Sequence, residues 1–78
     1  MKACVTGATG FIGGNLVKAL LQKKHSIKAL VLPNDPKIPE LKKNNVEVIQ
    51  GDIRDLESVK KAVKGCDVVF NCAAVVTD

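Results

Sequence analysis

The chain has 78 residues, of which 46% are hydrophobic and 26% are charged, and its net charge is +4. This length allows one small domain at most, and the composition excludes a disordered or fibrous chain. The lysines are scattered rather than gathered into a stripe with aromatic residues, so the positive charge does not indicate nucleic-acid binding.

Short apolar runs alternate along the chain with segments whose apolar residues recur at helical spacing. The apolar runs predict strands at residues 2–6, 26–32, 46–50 and 68–72. The segments between them predict helices at residues 11–22, 39–43 and 55–64. Pro33 stops the second strand, Asp55 is expected to cap the third helix, and Gly65 can end that helix in a left-handed conformation.

This order predicts an α/β fold built on a parallel sheet. Strands that lack a clean apolar–polar alternation are typical of sheets covered by helices on both faces. Right-handed crossovers in the usual doubly wound arrangement give the strand order 3-2-1-4. Residues 1–78 should therefore form the N-terminal, four-stranded part of a Rossmann-type domain. The fourth strand would be an edge, through which the chain could self-associate.

The stretch TGATGFIG, residues 6–13, joins the first strand to the first helix. Gly7 permits a tight turn, Gly10 lets a pyrophosphate approach the backbone, and Gly13 lets the helix pack closely on the strand. The free N–H groups of the first helical turn can then point at phosphate oxygens. Between a strand and an amphipathic helix, this turn predicts a phosphate-cofactor site. A purely structural turn would leave the three close glycines unexplained.

The spacing GxxGxxG resembles that of the short-chain dehydrogenase/reductase superfamily, and the whole string is similar to the superfamily's extended branch. This branch includes sugar-nucleotide epimerases and dehydratases, dihydroflavonol reductases and 3β-hydroxysteroid dehydrogenases. Two later stretches are also similar to it. GDIRD at residues 51–55 resembles its G-D-[IL]-x-D, and GCDVVFNCAA at residues 65–74 resembles its G-[CVA]-D-x-V-[FI]-[HN]-x-A-A. The matches cover the whole chain in the correct order.

The resemblance implies which residues hold the cofactor, NADP or NAD. They are Gly7, Gly10, Phe11, Ile12, Gly13, Asp52, Ile53, Ala73 and Ala74. The first five form the phosphate turn, in which Phe11 and Ile12 offer backbone N–H groups. Asp52 matches a carboxylate that accepts from the adenine amino group, Ile53 lies beside the adenine ring, and the two alanines pass the ribose. The alternatives are a turn role for Asp52 and sheet packing for the alanines.

The choice between the two cofactors rests on the end of the second strand. The resemblance implies an acidic residue for NAD where this chain has Val31, and an Arg for NADP where it has Leu32. Neither determinant is present, so the choice has to rest on Asn34, Asp35 or Lys37. The missing acid slightly favours NADP.

The chain lacks the catalytic residues that the resemblance implies. In this superfamily a Tyr acts as general acid or base, and a Lys four residues later lowers its pKa, but the sequence contains no Tyr. We therefore assign no catalytic residue. We expect the cofactor half of an oxidoreductase or epimerase/dehydratase acting on a small carbonyl or sugar-nucleotide substrate. The alternative is a non-catalytic NAD(P)-binding or interaction module. A Tyr-x-x-x-Lys further along the reading frame would distinguish the two.

The three cysteines form no CxxC pair and no metal-ligand cluster with the single histidine. Cys4 and Cys72 lie within apolar runs, and we interpret all three cysteines as small buried hydrophobic residues in a reducing compartment. A reactive thiol is the alternative, which nothing in the sequence supports. The sequence has neither a long apolar leader nor a run of about 18 apolar residues. A cytoplasmic protein without metal or membrane partner is expected.

Overall fold

The computed structural model of the protein describes residues 1–72. Strands and helices alternate in the order β1 (Lys2–Thr6), α1 (Phe11–Gln22), β2 (Ser26–Val31), α2 (Ile38–Lys43), β3 (Glu47–Gln50), α3 (Leu56–Val63) and β4 (Val68–Asn71). The predicted order of elements is confirmed, with ends that differ by about one residue. The second strand, for example, ends before Leu32, which precedes Pro33. Ala73 and Ala74 lie outside the described residues.

The strands form one four-stranded sheet in the order β3-β2-β1-β4, and the neighbouring strands are parallel. The predicted Rossmann-type arrangement is thereby confirmed. Thr6 pairs with Leu30 of β2 and with Asn71 of β4, and Val31 pairs with Gln50 of β3. The carboxyl ends of the strands therefore meet at one edge of the sheet. Ligands of open α/β sheets bind outside this edge.

Helices cover the sheet on two sides. The larger core lies between the sheet and the helices α1 and α2, and residues such as Val5 and Val17 are buried in it. The smaller core lies under α3 and buries Cys4, Leu30 and Ala62. Cys4 is fully buried, which raises the pKa of its thiol, so the expectation of a small buried hydrophobic residue holds at this position. Cys66 and Cys72 are only partly buried.

Lys28 is a charged residue inside the sheet, only 7% exposed. Its Nζ donates to the carbonyl oxygen of Lys64, just after α3, over 3.1 Å. The ammonium thus satisfies an acceptor at the negative end of the helix dipole. The apolar character of the second strand gave no sign of this contact, which sequence analysis missed.

The packing of α1 on the end of β1 depends on two glycines. Gly7 has a φ of +69°, in the left-handed region that favours glycine. A Cβ atom added at Gly13 would overlap the carbonyl oxygen of Gly7 and lie 2.7 Å from its carbonyl carbon. A side chain at Gly13 would therefore force the helix away from the turn.

The two edges of the sheet differ in character. On the β4 side, within residues 1–72, β1 is the only neighbouring strand, and Val69 is 48% exposed. On the β3 side the exposed strand residues are Glu47 and Gln50, both polar. Polar and charged residues protect an edge from pairing with another chain, whereas an apolar edge invites it.

We expect the 78-residue chain to self-associate through β4. Val69→Lys, which puts a charge on that edge, should restore the monomer at concentrations where the wild type associates. Gln50→Lys adds a positive charge to the other edge and is the matched control, which should still associate. Light scattering over a concentration series measures the average mass of the particles and so the state of association. A wild-type chain that stays monomeric at every concentration would contradict the prediction.

Gly13→Ala should destabilise the fold by about 1–3 kcal/mol, because the added methyl group overlaps the backbone of the turn. Gly14→Ala is the control in the same helix. Its Cβ would meet the Ala8 carbonyl oxygen at an ordinary 3.5 Å, and alanine should add up to about 1 kcal/mol of helix stability. Urea unfolding of the two variants should thus give changes of opposite sign. Equal stability of Gly13→Ala and wild type would contradict the prediction, because it would show that the backbone of the turn can shift to make room for the methyl group.

Candidate functional site

The predicted site residues lie along the carboxyl edge of the sheet. The glycine turn follows β1, and Asp52 and Ile53 follow β3. Since β2 lies between these two strands, a ligand that contacts both groups must cross the end of β2. The loop after β2, residues 32–37, is therefore the third part of the site. Ala73 and Ala74, outside the described residues, remain predictions.

The glycine turn leaves the N-terminus of α1 open. Gly10 is the N-cap residue, with extended backbone and no side chain to cap the helix, and the first turn carries no acidic residue. The N–H of Gly10 donates to the Gly7 carbonyl oxygen over 3.1 Å. Within residues 1–72, the next three N–H groups, of residues 11–13, donate to no backbone acceptor. These free donors and the helix dipole can bind an anion such as a pyrophosphate.

A Cβ atom added at Gly10 would meet no severe overlap, in contrast to one added at Gly13. A Cβ at Gly10 would lie 3.4 Å from the Gly7 carbonyl oxygen, a tight but nearly ordinary distance, and Gly10 is exposed. Packing within the chain therefore does not demand glycine at this position. A requirement for glycine here would come from a ligand that approaches the backbone, which is the role that the motif predicts for Gly10.

Exposed apolar side chains flank the same edge. Phe11 is 86% and Ile12 71% exposed in the first turn of α1. Leu32 follows β2 and Ile53 follows the adjacent β3, and both side chains are exposed. Exposed apolar side chains after two neighbouring strands offer apolar surface to a flat base bound at this edge. Sequence analysis considered Leu32 as the last residue of the second strand and as the place of a missing Arg, and its exposure became visible only because β2 ends at Val31.

Asp52 forms an ion pair with Arg54. Its Oδ1 accepts from the backbone N–H of Arg54 over 2.8 Å, and its Oδ2 accepts from Nη2 over 2.7 Å. Hydrogen bonds from Arg54 lower the pKa of Asp52 to about 2, so the carboxylate stays ionised and is purely an acceptor. Asp52 thus has the turn role that sequence analysis kept as an alternative. Its charge also suits the predicted bond from an adenine amino group.

The loop that carries Asp52 is fixed to α3 through Ser58. A Cβ on Gly51 would lie 2.6 Å from the Ser58 Cβ, so glycine is required for this contact. The Ser58 hydroxyl donates to Asp55 Oδ2 over 2.8 Å. Asp55 occupies the predicted N-cap position, but its side chain makes no capping bond to a backbone N–H. Sequence analysis missed Ser58, because a buried serine in a helix has no local signal.

The loop after β2 is joined to the glycine turn at Thr9. The Thr9 hydroxyl donates to Asp35 Oδ2 over 2.9 Å, and Lys37 Nζ donates to the Thr9 carbonyl oxygen over 3.1 Å. Asp35 Oδ1 also accepts from the backbone N–H of Lys37 over 2.9 Å. Two residues singled out for cofactor choice therefore meet at Thr9, for which sequence analysis proposed no role.

A groove of about 540 Å³ opens beside this junction, between α1 and α2. Its lining includes Gly10, Phe11 and Lys37 at the end near the turn.

Across residues 1–72, no group of three or more His, Cys, Asp or Glu residues is placed to hold a metal ion. In the same part of the chain, no helix is long and apolar enough to span a membrane.

The sequence and the fold are similar to those of known proteins. Cinnamoyl-CoA reductase 1 of Petunia hybrida is 42% identical over 81 residues, which cover 96% of this chain and 24% of the reductase. A 3 beta-hydroxysteroid dehydrogenase/Delta 5-->4-isomerase of Mycobacterium tuberculosis is 36% identical over 80 residues, covering 96% of this chain and 20% of the enzyme. A solved structure of AtPrR2 with NADP+ and (+)pinoresinol matches with a TM-score of 0.82 and 28% identity, covering 96% of this chain and 26% of that one.

The chain thus spans a quarter or less of the length of these curated relatives. Their names, a reductase and a hydroxysteroid dehydrogenase, confirm the resemblance to the extended short-chain dehydrogenases/reductases. The model of the NmrA-like family matches residues 1–77. Since this match covers almost the whole sequence, the chain belongs to the NmrA-like family.

Proposed function

We propose that the protein binds NAD(P) along the carboxyl edge of its sheet, as the cofactor-binding part of an oxidoreductase or epimerase/dehydratase. One observation carries this proposal: α1 begins, directly after the glycine turn, with free N–H groups and neither a capping side chain nor an acidic residue. Such a helix start attracts a diphosphate. The relatives named as a reductase and a dehydrogenase supply the reaction class.

The residues of the edge fit the parts of a dinucleotide in order. Gly7, Gly10 and Gly13, with the N–H groups of Phe11 and Ile12, would hold the pyrophosphate. Asp52 would accept from the adenine amino group, with Ile53 and Leu32 against the ring. Bound NAD(P) supplies the hydride chemistry. This chain's own residues bind the cofactor and orient it.

Of the two cofactors we propose NADP. Val31 is apolar and buried at the end of β2, so it offers no carboxylate to the 2′-hydroxyl that distinguishes NAD. The AtPrR2 structure, with 28% identity to this chain, contains NADP+. The substrate class that we propose is a small carbonyl or sugar-nucleotide compound. The compartment that we propose is the cytoplasm, where the free cysteines Cys4, Cys66 and Cys72 would stay reduced.

A second candidate is a non-catalytic NAD(P)-binding or interaction module. The 78 residues contain the cofactor turn but no tyrosine, the residue that the resemblance implies as general acid or base, so these residues by themselves support binding and not proton transfer. Both candidates require the same dinucleotide site. They differ in whether a Tyr-x-x-x-Lys follows in the reading frame, and in whether the protein turns over a carbonyl substrate.

Gly10→Val should abolish binding of NADP and NAD while leaving the fold intact. The branched side chain would fill the space through which the pyrophosphate reaches the backbone, and valine at an N-cap costs only about 1 kcal/mol. Calorimetric titration measures the affinity, with Gly14→Ala as a folded control that should bind like wild type. Undiminished affinity of a folded Gly10→Val variant would refute the assignment of this turn.

Asp52→Ala should weaken the binding of both dinucleotides by about tenfold or more, because a charge-assisted hydrogen bond to adenine is lost. Binding of nicotinamide mononucleotide, which has no adenine, should not change. Glu57→Ala removes the same charge from the exposed start of α3 and should leave all affinities as they are. Calorimetry on the three ligands tests this. An equal loss for the mononucleotide would point to a folding role for Asp52.

A further inference from the structure

We infer that a basic cleft at the amino edge of the sheet is a docking site for an acidic segment of a partner protein. The cleft has a volume of about 600 Å³ and lies between the carboxyl ends of α1 and α2. Its charged residues are Lys2, Lys24, Lys43 and Glu47. Because the cleft lies at the opposite edge of the sheet from the dinucleotide site, this docking is independent of the proposed function.

The fold gathers lysines that are scattered along the sequence. Crossover helices of a parallel sheet run against the strands, so their carboxyl ends come to the amino edge. Lys2 begins β1, Lys24 comes shortly after α1, and Lys43 ends α2. The residues before the last two, Lys23 and Lys42, are lysines as well and are exposed. Five lysines therefore surround the part of the edge where α1 and α2 end.

These lysines account for the net charge of the protein. The chain has 12 basic and 8 acidic residues and a net charge of +4. The five lysines together with Glu47 also carry +4, because the remaining seven basic and seven acidic residues cancel. One of these, Asp67, accepts from the backbone N–H of Lys2 over 2.8 Å without being part of the lining. An excess of positive charge thus surrounds the cleft and attracts anions.

Two of the lining lysines have no counter-charge close by. Lys2 Nζ lies 3.3 Å from Glu47 Oε1, whereas within residues 1–72 neither Lys24 nor Lys43 takes part in an ion pair. Like charges around one cleft repel each other, and this repulsion opposes folding. An anion bound between the lysines would reduce the repulsion and so stabilise the fold.

Lys24 has a backbone conformation that favours another residue type. Its φ is +63°, and it ends α1 in a motif in which its own N–H donates to the Leu21 carbonyl oxygen and the N–H of His25 to that of Leu20. Glycine is the usual residue at this place, with asparagine as the alternative, and α2 ends in the same way with Asn45 at a φ of +64°. The end of α1 therefore does not require a lysine, and a function of its ammonium group in the cleft would explain it.

The residue types of the cleft favour carboxylates as ligands. Lysine ammonium groups are separate point charges, whereas phosphate groups and nucleic acids favour the guanidinium fork of arginine. The only arginine of the sequence, Arg54, pairs with Asp52 after β3. The carboxylate of Glu47 already binds one lysine of the cleft, and the side-chain amide of Asn45 in the lining can hydrogen-bond to a peptide backbone. An acidic peptide segment matches this set of groups.

Two other anionic partners fit the cleft less well. The lining that the structure describes contains no Phe, Tyr or Trp, on which the bases of a nucleic acid would stack. A membrane surface would need apolar side chains beside the lysines. Exposed apolar residues such as Phe11, Ile12 and Leu32 lie at the carboxyl edge instead, and Met1 is the one such residue near the lysines within residues 1–72.

The test uses the whole 78-residue chain and a fluorescein-labelled hexaglutamate peptide, whose binding is measured by fluorescence anisotropy at low salt. Wild type should bind this peptide, more weakly as salt rises, and should not bind hexaglutamine with the same label. Lys24→Gln with Lys43→Gln should weaken binding about tenfold, because two ion pairs are lost. Lys60→Gln with Lys61→Gln is the matched control, which removes the same charge from α3 on the other face of the sheet and should change the affinity by no more than about twofold.

Lys24→Gly gives a readout that a lysine with only a structural role would not give. Glycine suits the left-handed backbone, so this variant should unfold at a higher urea concentration than wild type and yet bind hexaglutamate more weakly. A more stable variant with undiminished affinity for the peptide would show that Lys24 only ends the helix, and would overturn its role in docking.

Three further results would overturn the inference as a whole. The first is an equal loss of affinity in the two double variants, because net charge alone would then attract the peptide. The second is a wild-type chain that binds inorganic triphosphate or phosphatidylserine vesicles but not hexaglutamate, and the third is one that binds none of these probes. The affinity for NADP should be the same in all variants, because the cleft and the dinucleotide site lie at opposite edges.

Discussion

The contact between Gly13 and the backbone of Gly7 is the constraint on which the candidate site depends. Because Gly13 has no side chain, α1 begins directly against the end of β1, and its first N–H groups come to the carboxyl edge of the sheet. Gly7 supplies the left-handed turn that reverses the chain. Gly10 leaves the resulting helix start uncovered. Gly7 and Gly13 thus serve the fold, whereas packing does not demand glycine at position 10, and the task that we propose for Gly10 concerns a ligand.

The rest of the site is held by polar contacts between loops that follow different strands. Thr9 joins the glycine turn to the loop after β2 through Asp35 and Lys37, and Ser58 joins the loop after β3 to α3. These bonds are partly buried, apart from the exposed one of Lys37, and a single hydrogen bond contributes only about 1 kcal/mol to stability. The loops thus depend on a few weak contacts, whereas the glycine turn is packed between β1 and α1. In the proposed binding mode the phosphate position would be the more rigid part of the site and the adenosine side the more adaptable one.

Sequence analysis could predict the elements, their order and the glycine turn, because each has a local signal. Apolar runs mark the strands, helical spacing marks α1, and the glycines stand at a strand–helix junction. The contacts that it missed join residues far apart in the chain, as Lys28 with Lys64 and Thr9 with Asp35. Such pairs become neighbours only after the crossovers bring their strands together, and one sequence alone does not specify which side chains then meet. The contact of Asp55 with Ser58, three residues later, is a local exception, since the N-cap position of Asp55 was predicted but this partner was not.

A dinucleotide bound in the proposed way would extend from the candidate site toward the edge of the sheet formed by β4. Its two halves extend in opposite directions from the pyrophosphate, so an adenosine half that runs from β1 toward β3 sends the nicotinamide half toward β4. The Thr6 hydroxyl donates to Asn71 Oδ1 over 2.7 Å and ties the ends of β1 and β4 together. However, α3 packs mainly on β2 and β3, and it leaves Val69 on β4 exposed. In the proposed binding mode the adenosine half would find its contacts within the described residues, whereas the nicotinamide half would reach an edge that these residues leave open. Whatever covers β4, a second copy or a further part of a longer protein, would then lie beside the reactive end of the cofactor.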